Sequence, residues 1–209
     1  MSLKAKFKKN AANPKGFLGT VLISRMNIGT HYRLAQWGLG QLKTEKGYTA
    51  LDVGCGGGAN VEKLLGLCCE GSVTGIDCSE TSVKKSLRLN RKAVKDGRCQ
   101  ILKADVSSLP FADGSFDIVT AFETVYFWQE IEKAFSEVYR VLKNGGSFLV
   151  TNETEGNSAS AQQTLELIEN MKFYTAKQTE EIMQSVGFKD IKIFRHPTEA
   201  WFSVVGTKN

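Results

Sequence analysis

Four acidic residues fall where short apolar runs give out: Asp52, Asp77, Asp105 and Glu123. The first is followed at once by Gly54-Cys55-Gly56-Gly57-Gly58. Four glycines in five residues allow positive φ and leave no side chain to keep a ligand away from the backbone. The helical spacing that resumes at Val61, Leu64 and Leu65 puts unpartnered N–H groups and a partial positive charge beside that turn. The loop is therefore expected to cradle an anionic group on its N–H donors. Asp77, about 20 residues on, offers two acceptor oxygens that suit a vicinal diol. Asp105 can accept from an exocyclic amine, with the Val106 N–H beside it. A dinucleotide and S-adenosylmethionine both satisfy this constellation, because Gly54 to Ala59 also fits the relaxed G-x-G-x-x-A dinucleotide pattern. Asp52 favours the second. A carboxylate two residues before the first glycine opposes a pyrophosphate but suits a ligand carrying an ammonium for the acid and a carboxylate for the loop.

The candidates for proton transfer are Glu123, His31 and Tyr126. An acid at Glu123 accepts a proton or attracts a cation, and a histidine is a sensible base near neutral pH. Tyr126, Phe127, Trp128, Phe173, Tyr174, Tyr32 and Trp37 are expected to wall an acceptor site, or to serve as core.

These residues need strands that end together. Strands are predicted at 49–53, 72–77, 99–104, 115–121 and 147–151, with helices from 59, from Ser79 to about Lys95, and from Glu130 to Leu142. Helices at 158–170 and 175–186 follow, then strands at 191–194 and 201–205. Regular alternation of strand and helix requires a mostly parallel sheet covered on both faces, with ligands beyond the carboxyl ends of its strands. Two helical pieces are expected over 17–42, broken near Asn27-Ile28-Gly29, as a cap on the sheet edge. The domain plan is a flexible basic tail at 1–16 and a single domain at 17–209. Within it lie the cap (17–44), the cofactor-binding core (48–152) and acceptor-side helices with the last strands (153–209).

A chain of 209 residues with 42% hydrophobic and 23% charged residues is ordinary for one globular domain. No run approaches ~18 apolar residues, and the first ten residues lack an apolar signal core, so a cytoplasmic protein without a membrane span is expected. The five cysteines are odd in number and lack metal spacing, so free thiols and no metal site are expected. The net charge of +5 divides unevenly: residues 1–44 hold eight basic side chains and no acid, leaving 19 basic and 22 acidic residues beyond them. A basic arm is compatible with nucleic acid, but its lysines lack interleaved aromatics, and a solvated tail is the plainer reading.

Leu51-Asp52-Val53-Gly54-Cys55-Gly56-Gly57-Gly58, Gly75-Ile76-Asp77, Ala104-Asp105 with Leu109-Pro110-Phe111, Ser115-Phe116-Asp117-Ile118-Val119 and Arg140-Val141-Leu142-Lys143-Asn144-Gly145-Gly146 follow one another in order. Together they resemble the successive motifs of class I S-adenosylmethionine-dependent methyltransferases, in particular the small-molecule branch with the ubiquinone and menaquinone C-methyltransferases. The resemblance spans about residues 48–152. It implies a Rossmann-like seven-stranded α/β sheet of order 3-2-1-4-5-7-6 with the last strand antiparallel. It also implies cofactor contacts at Asp52, Gly54, Gly56, Asp77, Cys78, Asp105, Val106 and Phe122, and a position for Glu123 facing the transferred methyl. Cys78 stands where an apolar residue often packs on adenine, and Asn144 replaces a family proline. The segment 121–128 is not the (Asn/Asp)-Pro-Pro-(Tyr/Phe) of base amino-methylases, so a small-molecule acceptor is expected over nucleic acid. A nucleic-acid-associated or non-catalytic cofactor-binding protein using the basic arm is the alternative, and a nicotinamide oxidoreductase a third.

Overall fold

The computed structural model describes residues 29–166, 168 and 171–209. The basic tail and the first expected helical piece lie outside them. Seven strands form one sheet: β1 (Thr49–Val53), β2 (Ser72–Asp77), β3 (Cys99–Lys103), β4 (Phe116–Phe122), β5 (Leu142–Asn152), β6 (Lys189–Arg195) and β7 (Phe202–Thr207). Their order is β3-β2-β1-β4-β5-β7-β6, as expected. β1 to β5 pair in parallel, and β7 runs antiparallel to both β5 and β6.

The helices are α1 (Thr30–Leu39), α2 (Ala59–Leu67), α3 (Glu80–Leu89), α4 (Arg91–Lys95), α5 (Ile131–Val141), α6 (Ala159–Leu165) and α7 (Ala176–Ser185). Alternation along β4 shows why both faces must be covered. Val119 and Ala121 enter a cluster with Phe135, Phe148, Met183 and Phe188, while Ile118 and Phe122 enter one with Leu39, Leu64 and Val83 on the other face. The single helix expected from Ser79 to Lys95 breaks at Asn90, whose side-chain amide donates to Gly58 O and Ser86 O, both at 3.1 Å. That residue leaves the helical register in order to hold the glycine-rich turn. β5 starts at Leu142, five residues ahead of the expected strand, and a register shift between Phe116 and Ile118 absorbs the extra length.

The cap helix α1 lies close against the sheet. A Cβ on Gly38 would stand 2.6 Å from Thr151 Oγ1 and 2.9 Å from Phe122. Trp37 packs edge-on against His196, 5.4 Å between ring centres, and near Trp201. Helix α1 thus carries His31 and Tyr32, at its first turn, over the carboxyl ends of the strands.

Candidate functional site

A cavity of about 380 Å³ opens at those strand ends. It joins the glycine-rich turn, Asp77, Cys78, Asp105 and Val106 at one end to Phe122, Glu123 and His31 at the other.

The turn departs from the expected cradle. The N–H groups of Gly54 and Cys55 both donate to Ile76 O at 2.8 Å, that of Gly56 to Asp77 Oδ2 at 2.9 Å, and that of Gly58 to Cys55 O at 2.9 Å. The first three of these fasten the loop to β2, and the last closes the turn on itself. What remains for a ligand is space. Gly56, at φ 52°, has nothing within 4 Å of where a Cβ would stand, although it lines the cavity. Gly58, at φ 84°, is glycine for another reason: a Cβ there would run into Ser86 and Asn90.

Asp77 ends β2 with Oδ1 accepting the Ser79 N–H at 2.8 Å and Oδ2 the Gly56 N–H. The Ser82 side chain also hydrogen-bonds this carboxylate, so about one of its four lone-pair sites is left for the diol expected there. Burial pushes its pKa up, and those two N–H groups and the Ser82 side chain pull it back. Ser79, as expected, caps α3 by accepting the Ser82 N–H. Asp105 is exposed and turns Oδ1 to both the N–H and the hydroxyl of Ser107, at 2.8 and 2.7 Å. Its loop is clamped from behind by Arg140, which donates to Leu109 O, Phe111 O, Asp113 and Glu137.

Asp52 stands differently from the expectation. It is 1% exposed, is not part of the cavity wall, and accepts the Thr120 hydroxyl on Oδ1 at 2.7 Å. Its Oδ2 is buried without a hydrogen-bond partner, and burial raises its pKa to about 7. An orphaned carboxylate oxygen beside an open glycine turn fits a ligand that brings positive charge.

At the far end Glu123 adopts φ 55°, a left-handed conformation that costs energy in a side-chain-bearing residue. Its carboxylate accepts the Glu153 N–H on Oε1, and the Tyr126 hydroxyl on Oε2 at 3.0 Å. Burial first, and then the charge of Glu153, raise its pKa to about 8. Tyr126 is buried behind Glu123, away from the cavity wall, and burial lifts its pKa well above the usual phenol value. It supports the carboxylate and does not face a ligand. His31 lines the cavity and lies 3.9 Å from Glu153 through Nδ1. Of the expected aromatic wall, Tyr32, Phe127 and Trp128 line the cavity, whereas Trp37 packs with His196 and Trp201 and Phe173 sits against Tyr126.

Lys63 and Glu153 are additions that spacing did not single out. Lys63 follows Ala59 by four residues on α2, and both line the cavity. That one-face spacing was the available signal. Nothing local to Glu153 marks it.

The fold is the one shared by S-adenosylmethionine-dependent methyltransferases. Residues 51–150 match the family model described as a methyltransferase domain. It is 35% identical over 134 residues to a cycloartenol-C-24-methyltransferase of Oryza sativa subsp. japonica, covering 62% of this chain and 39% of that protein. It is 31% identical over 156 residues to a sterol methyltransferase-like protein of Botryococcus braunii, covering 70% of this chain and 40% of that one. The chain thus spans about two fifths of the length of these curated relatives. Among solved structures, a chain from the complex of the Haloferax volcanii Trm112 methyltransferase activator and a methyltransferase superposes with TM-score 0.80 at 21% identity, covering 90% of this chain and 93% of that one. An S-adenosylmethionine-dependent methyltransferase of Aquifex aeolicus gives TM-score 0.76 at 18% identity, covering 91% and 98%. These matches bear on the class of enzyme, and not on the quinone branch expected from the motifs. Among the described residues no helix is long and apolar enough to cross a membrane, and no cluster of His, Cys, Asp or Glu is arranged to hold a metal ion.

Proposed function

We propose that the protein transfers a methyl group from S-adenosylmethionine to a small-molecule acceptor. The observation that carries this reading is the cavity that joins Gly56, Asp77 and Asp105 to Glu123 and His31. Asp77 would hold the ribose hydroxyls, and Asp105 with the Val106 N–H the adenine edge, while Cys78 packs beside the base and Phe122 floors the passage to Glu123. When bound, S-adenosylmethionine supplies a sulfonium methyl that passes in line to the acceptor as the carbon–sulfur bond breaks.

The chain's own work is to position the acceptor, exclude water and manage one proton. Glu123 is suited to that proton. With a pKa near 8, its carboxyl takes and releases a proton close to neutral pH, and Tyr126 fixes its orientation. His31, partly exposed and near Glu153, connects this end with solvent.

The curated relatives are named for sterol methylation and extend well beyond the matched stretch, so the acceptor is taken here only as a small molecule. Calorimetry with S-adenosylhomocysteine tests the donor half: affinity should collapse in Asp77→Ala, and equal affinity in that variant overturns the reading. NADH should give no thermal stabilisation, and a shift with NADH but none with S-adenosylhomocysteine would turn the assignment to an oxidoreductase. Metabolite extracts incubated with methyl-labelled S-adenosylmethionine identify the acceptor.

A further inference from the structure

Resting on that reading, we infer that Lys63 is the residue that recognises the carboxylate of the methyl donor's amino-acid end, while Asp52, buried beneath the turn, supplies negative charge from below without lining the cavity. The case is one of charge, narrowed by the hydrogen bonds that the turn already makes. The turn cannot serve the carboxylate with the N–H groups of Gly54, Cys55, Gly56 and Gly58, because these already bond Ile76 O, Asp77 and Cys55 O. A carboxylate in a half-enclosed cavity needs a charged or hydrogen-bonded partner. Among the described residues that line the cavity, His31 and Lys63 are the basic ones. His31 sits by Glu153, at the acceptor end.

Lys63 rises from the first turns of α2, beside the glycines, with its Nζ 4.0 Å from the centre of the Tyr32 ring. Among the described residues no carboxylate lies within 4 Å of that ammonium, although its burial is enough to lower its pKa. A half-buried ammonium resting on an aromatic face, with no carboxylate within 4 Å, is held ready for an anion. Asp52 shows the opposite deficit, because its Oδ2 is buried without a hydrogen-bond partner. A cation with no carboxylate within 4 Å and an orphaned carboxylate oxygen flank the same glycine turn and attract one another across it, which is the charge pattern that complements an α-amino acid. Tyr32 acts here as a positioning residue, since it touches Lys63 and fixes where the ammonium sits. The consequence is selectivity for a donor with an intact carboxylate.

The test compares ligands that differ only at that end, by calorimetry on the full chain: S-adenosylhomocysteine, its decarboxylated amine, and 5′-methylthioadenosine, which lacks the amino-acid end. Lys63→Met keeps the apolar stem against Tyr32 and removes the charge. It should weaken S-adenosylhomocysteine about 30-fold and leave the decarboxylated amine and 5′-methylthioadenosine within about twofold of wild type. Lys63→Arg should recover most of the loss. If Lys63→Met binds S-adenosylhomocysteine as wild type does, or weakens all three ligands equally, the assignment of Lys63 is wrong. If none of the three binds the wild-type chain, the methyltransferase reading itself fails.

Discussion

The two ends of the cavity are built on opposite principles. At the donor end, Asp77, the glycine turn and the Asp105 loop are satisfied by their own backbone: Asp77 accepts two N–H groups, the turn donates to Ile76 O, and Arg140 clamps the loop that follows Asp105. At the acceptor end, Glu123 sits in left-handed backbone beside a second acid, with its pKa near 8. A shape that must match one invariant ligand is made rigid in advance, and strain is kept where a group must change its protonation state.

That contrast can be broken most forcefully at Gly58. Gly58→Ala drives a methyl into Ser86 and Asn90 at positive φ, and should cost about 3 kcal/mol by chemical denaturation. Gly56→Ala meets only open space, and should cost about 1 kcal/mol of stability. It should nevertheless weaken S-adenosylhomocysteine more than about tenfold in calorimetry, because the methyl occupies the ligand's room. Equal behaviour of the two variants would erase the distinction between a glycine that packs and a glycine that admits.

At the acceptor end the informative variable is pH. Glu123 has a folded-state pKa of about 8 against an ordinary 4.5, so its contribution to stability is present at low pH and lost as the pH climbs through that interval. Glu123→Gln removes this loss. Its melting temperature relative to wild type should rise from about pH 5 to about pH 8 and then level off, and a constant difference would mean that the carboxylate is ordinary. The smallest effect belongs to Asp105, which is exposed and already engaged with Ser107. Asp105→Ala should weaken S-adenosylhomocysteine by only about three- to tenfold. A loss as large as that of Asp77→Ala would show the donor end to be less evenly divided than its hydrogen bonds suggest.

The same contrast decides what could be read from the residues. Asp77, Asp105 and the glycines were legible because each sits at a fixed offset from an apolar run; the alternation of strand and helix gave a mostly parallel sheet, and the strand order came from the family resemblance. The N–H cradle was misjudged because hydrogen bonds from the turn to Ile76 O depend on how β1 pairs with β2, which local spacing does not encode. Asp52 was placed at the ligand and lies beneath it, since a one-residue pleat separates wall from interior. Glu123 was found by its position after β4, but its raised pKa comes first from burial and then from Glu153, thirty residues on and brought alongside by the pairing of β4 with β5. Tyr126 was grouped with the ligand-facing residues, and the short 3₁₀ turn Val125–Phe127 tucks it behind.

Gly38 lies seven residues from His31, a span of about 10 Å along α1. Because Gly38 lets that helix rest on Thr151 and Phe122, the height of the cavity's roof is set at its far end, by a missing methyl group that no ligand touches. Any side chain at position 38 would act as a wedge under a lever, lifting His31 and carrying Tyr32 away from Lys63. A variant isolated for lost activity there would report on the site's ceiling, although the altered residue never meets the chemistry.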